Sequence, residues 1–228
     1  MHITSEPAIL YLGTPVVLIS TENEDRTHNL APMSSAFWLG WRCILGLSAI
    51  SKTTENLLRT RQCVLNVPST DNVTAVNRLA RTTGSNPVPP VKVTRGYRHE
   101  GDKFGISGFT PAASETVTPP RALECPVHLE GVVAASHIVA EDDEALRGRV
   151  RIFEVRIQRV HLEESILMDD DPNRIDPDKW RPLIMSFQQF YGLGQKQLHE
   201  STLGKISESL YRTHDVETAR AVLRTDNR

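Results

Sequence analysis

Residues Val150 to Val160 alternate apolar and polar side chains more cleanly than any other stretch of the chain. Val150, Ile152, Val155 and Ile157 stand among Arg151, Glu154, Arg156 and Gln158. A period of two over this length fits a strand with one wet face, because a helix would scatter these apolar residues around its axis. The phase slips at Phe153–Glu154, which predicts a bulge. Other strands are expected over Thr14 to Thr21, His28 to Phe37, Cys43 to Ile50, Cys63 to Val67 and Pro126 to Ala134, the last running on through Ser136 to Ala140 past a bend. Helices are few and short. One is expected from about Asn72 to Arg81 with Asp71 as its cap, and another near Val216 to Leu223 capped by Asp215. The stretches Thr82 to Val91 and Thr110 to Pro120 are broken by Gly84, Pro87, Pro89, Pro90, Pro111, Pro119 and Pro120 and read as irregular. The pattern predicts a mainly β fold, a β-barrel with helical additions, over a doubly wound sheet.

The chain has 228 residues, enough for one domain with a sizeable core or for a domain with an appendage. Its formal net charge of −2 gives no broad basic field, so nucleic acid and anionic membrane surfaces are not expected partners. No apolar run approaches the roughly 20 residues of a membrane span. The first residues lack the basic-then-apolar pattern of a secretory signal. Three cysteines, Cys43, Cys63 and Cys125, fit a reducing compartment better than a disulfide framework. The expected location is the cytoplasm. No Gly-x-Gly-x-x-Gly follows a strand, no Gly-x-Ser-x-Gly occurs, and the eight histidines form no His-x-x-x-His pair.

The chemistry gathers at Ser48 to Asn66, which reads as strand end, polar turn, short helix and next strand. Thr53 or Thr54 is the expected N-cap. A helix start offers free N–H groups and partial positive charge. With Ser51, Lys52, Thr53, Thr54 and the Asn56 amide beside it, the turn suits a phosphate. The same residues also suit an ordinary capped helix with a solvated lysine. Upstream, Asn29 to Ser35 is a run of small and polar residues that would let a flat ligand lie against the backbone, or would form a strand bent by Pro32. Phe37, Trp38 and Trp41 are expected to cover a core edge or a subunit contact. His28 and His128 are the titratable candidates near the site, each also readable as structural. Asp169-Asp170-Asp171-Pro172 reads as a solvated turn, because nothing at calcium-loop spacing follows it.

Taken in order, these stretches resemble the flavin reductase-like family of FMN-binding split barrels. Asn29-Leu-Ala-Pro-Met-Ser34 is similar to its Asn-x-Ala-Pro-x-Ser segment. Ser51-Lys-Thr-Thr-Glu-Asn56 with Cys63-Val-Leu-Asn66 is similar to its Lys-x-Thr-x-x-Asn and Phe-Val-Val-Asn pattern. Lys103-Phe104 through Gly108-Phe-Thr-Pro111 resembles a middle loop of longer members, and Pro182-Leu183 with Tyr191-Gly-Leu-Gly194 its C-terminal element. The resemblance covers about residues 10 to 200. It implies a Greek-key split-barrel domain over 1–200 and a homodimer with FMN near the subunit interface, while 201–228, which the resemblance does not explain, is expected to form a C-terminal helical extension. A swap of that helix onto the partner is compatible with this reading. Carried onto this chain, Asn29, Ala31, Pro32, Met33, Ser34 and Ser35 would line the flavin ring. Ser48, Ser51, Lys52, Thr53, Thr54 and Asn56 would hold the phosphate, and Tyr191 would close the pocket. NADH or NADPH would be the electron donor and a monooxygenase a possible electron-accepting partner. No catalytic acid and no metal are implied. The chain departs from the family where Arg and Gly-Gly often precede the tyrosine, since it has Ile184-Met-Ser-Phe-Gln-Gln-Phe190 there.

Overall fold

The computed structural model describes residues 1–194 and 197–226. Seven antiparallel strands form the main sheet: β1 (Val17–Glu22), β2 (His28–Met33), β3 (Ala36–Leu39), β4 (Arg42–Ser48), β5 (Gln62–Val67), β6 (Val127–Ile138) and β7 (Val150–Leu162). Their order is β2-β1-β5-β6-β7-β4-β3. The two outermost strands are consecutive in the chain, separated by Ser34 and Ser35 alone, so the sheet curls until one bent run of backbone forms both of its margins. At the bend the Gly46 amide donates to the Ser35 carbonyl at 2.9 Å. β5 returns through helix α1 (Lys52–Thr60) to lie beside β1, which is the Greek-key connection. The expected mainly β split barrel is what forms.

The inner side chains follow the strand period. Val17 and Ile19, Cys43, Leu45 and Leu47, Cys63 and Leu65, and Phe153, Val155 and Ile157 meet in one core, with Trp38 and Trp41 packed against it. The alternation of β7 is therefore unbroken at Phe153. Val150 and Ile152 lie on the other side, where the strand runs past the barrel. The extra residues that bend this hairpin are Ala134 on β6 and Gln158 on β7, not the expected Phe153–Glu154.

β1 is buried on both sides, which is why it reads as a continuous apolar run. Val16 and Leu18 turn outward and join Leu30, Val76, Leu79, Phe104, Phe109, Cys125 and Leu183 in a second core. This core lies under the segment between β5 and β6. That segment holds α2 (Val73–Arg78), α3 (Pro90–Val93) and α4 (Lys103–Ser107). The expected helix over 72–81 is shorter than its pattern. Ser69, not Asp71, caps the preceding 3-10 turn, with Asn72 answering in a capping box. α4 was not expected. Asp102 caps it, accepting the Gly105 amide at 2.8 Å.

Two further strands, β8 (Ile184–Ser186) and β9 (Gln189–Tyr191), form a hairpin that pairs with Thr14–Pro15. Its two turn residues, Phe187 and Gln188, have φ of 44° and 66°. This is the two-residue turn that glycines favour. The tail ends in α5 (His214–Asp226), which packs on β7 of its own chain. Asp215 does not cap this helix as expected. It lies in the first turn and grips the Arg42 guanidinium with both oxygens, each at 2.9 Å. No helix among the described residues is long and apolar enough to cross a membrane.

Candidate functional site

Helix α1 packs on β1, β2 and β4, with Leu57 in the core and Glu55 and Leu58 in solvent. Its cap is Ser51, two residues earlier than Thr53 and three earlier than Thr54. Ser51 Oγ accepts the Thr54 amide at 3.1 Å and donates to Thr54 Oγ1 at 2.9 Å. Thr54 Oγ1 passes its own proton to the Ser48 carbonyl at 2.8 Å. Of the expected phosphate ligands, the Ser51 and Thr54 hydroxyls are thus committed to shaping the turn, and Ser48 joins it through its backbone carbonyl.

Thr53 is placed differently. It is buried, and its Oγ1 accepts from Asn29 Nδ2 at 3.1 Å, which leaves the hydroxyl proton to donate. The backbone amides of Lys52 and Thr53 have no acceptor among the described residues. Lys52 Nζ lies 2.6 Å from Glu55 Oε1. Asn56 points beneath the helix. Its Nδ2 donates to Thr21 Oγ1 at 3.0 Å and to Asn23 Oδ1 at 2.8 Å, so it fixes the turn between β1 and β2.

A cleft of about 320 Å³ opens over this turn. Asn29 and Lys52 form one wall, and the turn of residues 23–27 a second. The third wall, Gly84, Asn86, His99 and Glu100, was not expected as part of a site. Gly84 and Asn86 come from the proline-rich stretch, and His99 and Glu100 follow α3, and nothing local in the sequence assigns either to a cleft. A Cβ on Gly84 would stand 2.7 Å from Asn29 Oδ1 and 3.1 Å from Lys52 Cγ, so only glycine lets this wall come so close.

The wall is held by two ammonium groups. Lys92 Nζ donates to Thr83 Oγ1 at 3.0 Å, and Lys103 Nζ donates to Thr82 Oγ1. Lys103 is 1% exposed and makes no ion pair among the described residues. Burial pushes its pKa down to about 8, with Lys92 adding to the effect. Lys103-Phe104 carried part of the family resemblance, yet only the fold shows that this lysine is inside.

The other expected residues spread along β2. Ala31 pairs with Ile19, and Met33 pairs with Val17 and packs against the barrel core. Pro32 pairs with Leu18, Ser34 is half-buried, and Ser35 is exposed at the bend. Tyr191 is 57% exposed on β9 and does not line the cleft of its own chain. His28 is half-buried and its Nδ1 lacks a partner. His128 is structural. Its Nδ1 lies 2.9 Å from Asn66 Oδ1, and burial, with Arg121 and His161 nearby, pushes its pKa down to about 4. Asp169 pairs with Lys179 at 2.5 Å at a solvated turn, and the described residues hold no cluster suited to a metal ion.

A capped helix start with unbonded amides, set on a split barrel, agrees with what the chain is similar to. It is 39% identical over 191 residues to the uncharacterized protein YdfE of Bacillus subtilis (strain 168), covering 84% of this chain and 89% of that protein. The fold matches flavoredoxin from Methanosarcina acetivorans with a TM-score of 0.70 at 19% identity, covering 92% of this chain and 99% of that one. It matches nitrilotriacetate monooxygenase component B from Bacillus cereus with a TM-score of 0.66 at 17% identity, covering 83% and 88%. The flavin reductase like domain matches residues 10–194, and the chain belongs to that family.

Proposed function

We propose that this protein is an NAD(P)H-dependent flavin reductase that holds FMN at the mouth of the barrel, works as a homodimer, and passes electrons to an acceptor or a monooxygenase partner. The observation that carries the reading is the start of α1. Two unbonded amides, a buried hydroxyl with a free proton and an ammonium meet at the positive end of a helix. This donor set fits the FMN phosphate. When bound, FMN supplies a ring that accepts a hydride from a nicotinamide. The chain's part is positional. Thr53 and Lys52 hold the phosphate, Asn29 and Gly84 set the width of the cleft, and β2 presents backbone groups to the ring edge. No side-chain acid or base is required for hydride delivery.

A second reading rests on β8 and β9. The arginine and glycines often found before the tyrosine are absent, and Tyr191 is exposed. On this reading the protein is a dimeric FMN-binding protein whose flavin serves another redox partner or a binding role. An anaerobic absorbance scan with FMN, before and after NADH and then NADPH, separates the two. Bleaching of the visible flavin band by either donor is the expected result. A bound flavin that neither donor bleaches would favour the second reading. Lys52→Glu is expected to weaken FMN binding by about 1–3 kcal/mol, and an unchanged affinity would remove Lys52 from the site.

A further inference from the structure

The charges around the cleft are lopsided, and the geometry points to a rule for flavin choice: the cleft binds one phosphate at the start of α1 and turns away a second, so that it selects FMN over FAD through Glu24, Asp25 and Glu100. This rests on the flavin reading above. Lys52 supplies the ammonium of the lining, and Thr53 lies buried behind Asn29, its hydroxyl oxygen accepting from the Asn29 amide. Beside them Asn29, 2% exposed, lines the cleft, and no donor among the described residues reaches its Oδ1. A lone acceptor suits a ribityl hydroxyl and repels a phosphate oxygen.

The rest of the rim is acidic. Asp25 Oδ1 accepts the Thr27 amide at 3.0 Å and the Thr27 hydroxyl at 2.6 Å, which fix the carboxylate in place. Glu100 Oε1 accepts the Asp102 amide at 3.1 Å. Glu24 lies on the same turn as Asp25. Against these, Lys52 already shares its charge with Glu55. His99 lines the cleft with its Nδ1 3.2 Å from the Ser85 carbonyl, the contact of a ring nitrogen that carries a proton. Lys92 and Lys103 are bound to Thr83 and Thr82 outside the lining, and Arg59 to the Glu22 carbonyl. A pyrophosphate would therefore carry its second charge toward a carboxylate fence, and among the described residues that line the cleft no lysine or arginine other than Lys52 stands to meet it.

The test is equilibrium dialysis of the purified protein against an equimolar mixture of FMN and FAD, with the bound flavins released and quantified. Wild type is expected to prefer FMN by about tenfold or more, as like-charge opposition to the wrong ligand implies. Asp25→Asn with Glu100→Gln should cut that preference by roughly fivefold through a gain in FAD, and high salt should narrow it in wild type. Lys52→Gln should lower both flavins together. Equal uptake of FAD by wild type, or an unmoved ratio in the double variant, overturns the fence while leaving FMN binding intact. Uptake of neither flavin by wild type overturns the flavin reading and this rule with it.

Discussion

The barrel and the segment of residues 68–125 that lies against it are built by different means. The barrel is joined by antiparallel ladders, and its core follows the strand period. The segment has short helices and long irregular stretches, and buried polar groups tie it down. Ser20 Oγ donates to the Pro120 carbonyl, and Asn66 Oδ1 accepts the Ala122 amide at 2.8 Å. Gln62 Oε1 accepts the Thr118 amide at 2.9 Å. Glu130, fully buried on β6, accepts the Glu115 and Thr116 amides, the Thr116 hydroxyl and His161 Nε2. Strand ladders and apolar burial make the first region. The second needs particular side chains to satisfy a backbone that has left regular structure. Two walls of the cleft belong to the barrel and its helix, and the third belongs to the clamped segment.

The comparison can be broken most severely in the barrel. Phe153→Ala removes a fully buried ring at the centre of the core and should cost about 3–5 kcal/mol, read as a drop in the denaturation midpoint. A loss under 1 kcal/mol would mean that the barrel does not depend on its alternation.

Glu130→Gln breaks the clamp instead. Burial raises the pKa of this carboxyl, but hydrogen bonds from His161, Thr116 and the backbone overcome it and bring the pKa down to about 2. A group depressed in the folded state stabilises above its unfolded pKa and loses that contribution as pH falls through the folded value. The contribution is roughly 3 kcal/mol, present above about pH 4.5 and fading toward pH 2. The variant should lose this much at neutral pH and converge on wild type in acid. Hydrogen exchange should show residues 113–122 released while β6 and β7 stay protected. Equal deprotection of both regions would erase the distinction.

Lys103 sharpens the comparison from the other side. Its folded pKa of about 8 lies below the ordinary 10.5, so between these values the unfolded chain binds the extra proton. Stability should rise with pH across that window, by up to about 3 kcal/mol. Lys103→Met should flatten the slope. A slope that survives the substitution would assign it to another group.

The smallest effect is expected at the β8–β9 turn. Phe187→Gly and Gln188→Gly should each stabilise by about 1 kcal/mol, because both residues hold a left-handed backbone. A loss on either substitution would show that the side chain makes a contact worth more than the strain.

What the sequence disclosed follows the same division. Val155, Ile157 and Leu65 announce their strands because one face of each is buried, and alternation records that directly. The turn at Ser51 was legible as a capped helix start, but its division of labour was not. Whether Thr53 or Thr54 keeps a free proton depends on which carbonyl stands behind each, and that carbonyl is supplied by the fold. Gly84, His99 and Lys103 were unreadable as neighbours because the proline-rich stretch has no period to fix where it travels. The β8–β9 hairpin was hidden for another reason. Its turn positions hold Phe187 and Gln188, where the backbone conformation leads one to look for glycine.

The bend at Ser34–Ser35 leaves β2 bonded to β1 on one side and, among the described residues, to no strand on the other. Such a margin is a template on which a second chain can add a strand, and a stretch as apolar as Leu30 to Met33 would invite self-association. Pro32 removes one N–H from that margin and stiffens it. The proline then makes the margin a poorer template for the strands of other copies. Pro32→Val, harmless to the barrel core, would be expected to reveal itself as concentration-dependent aggregation.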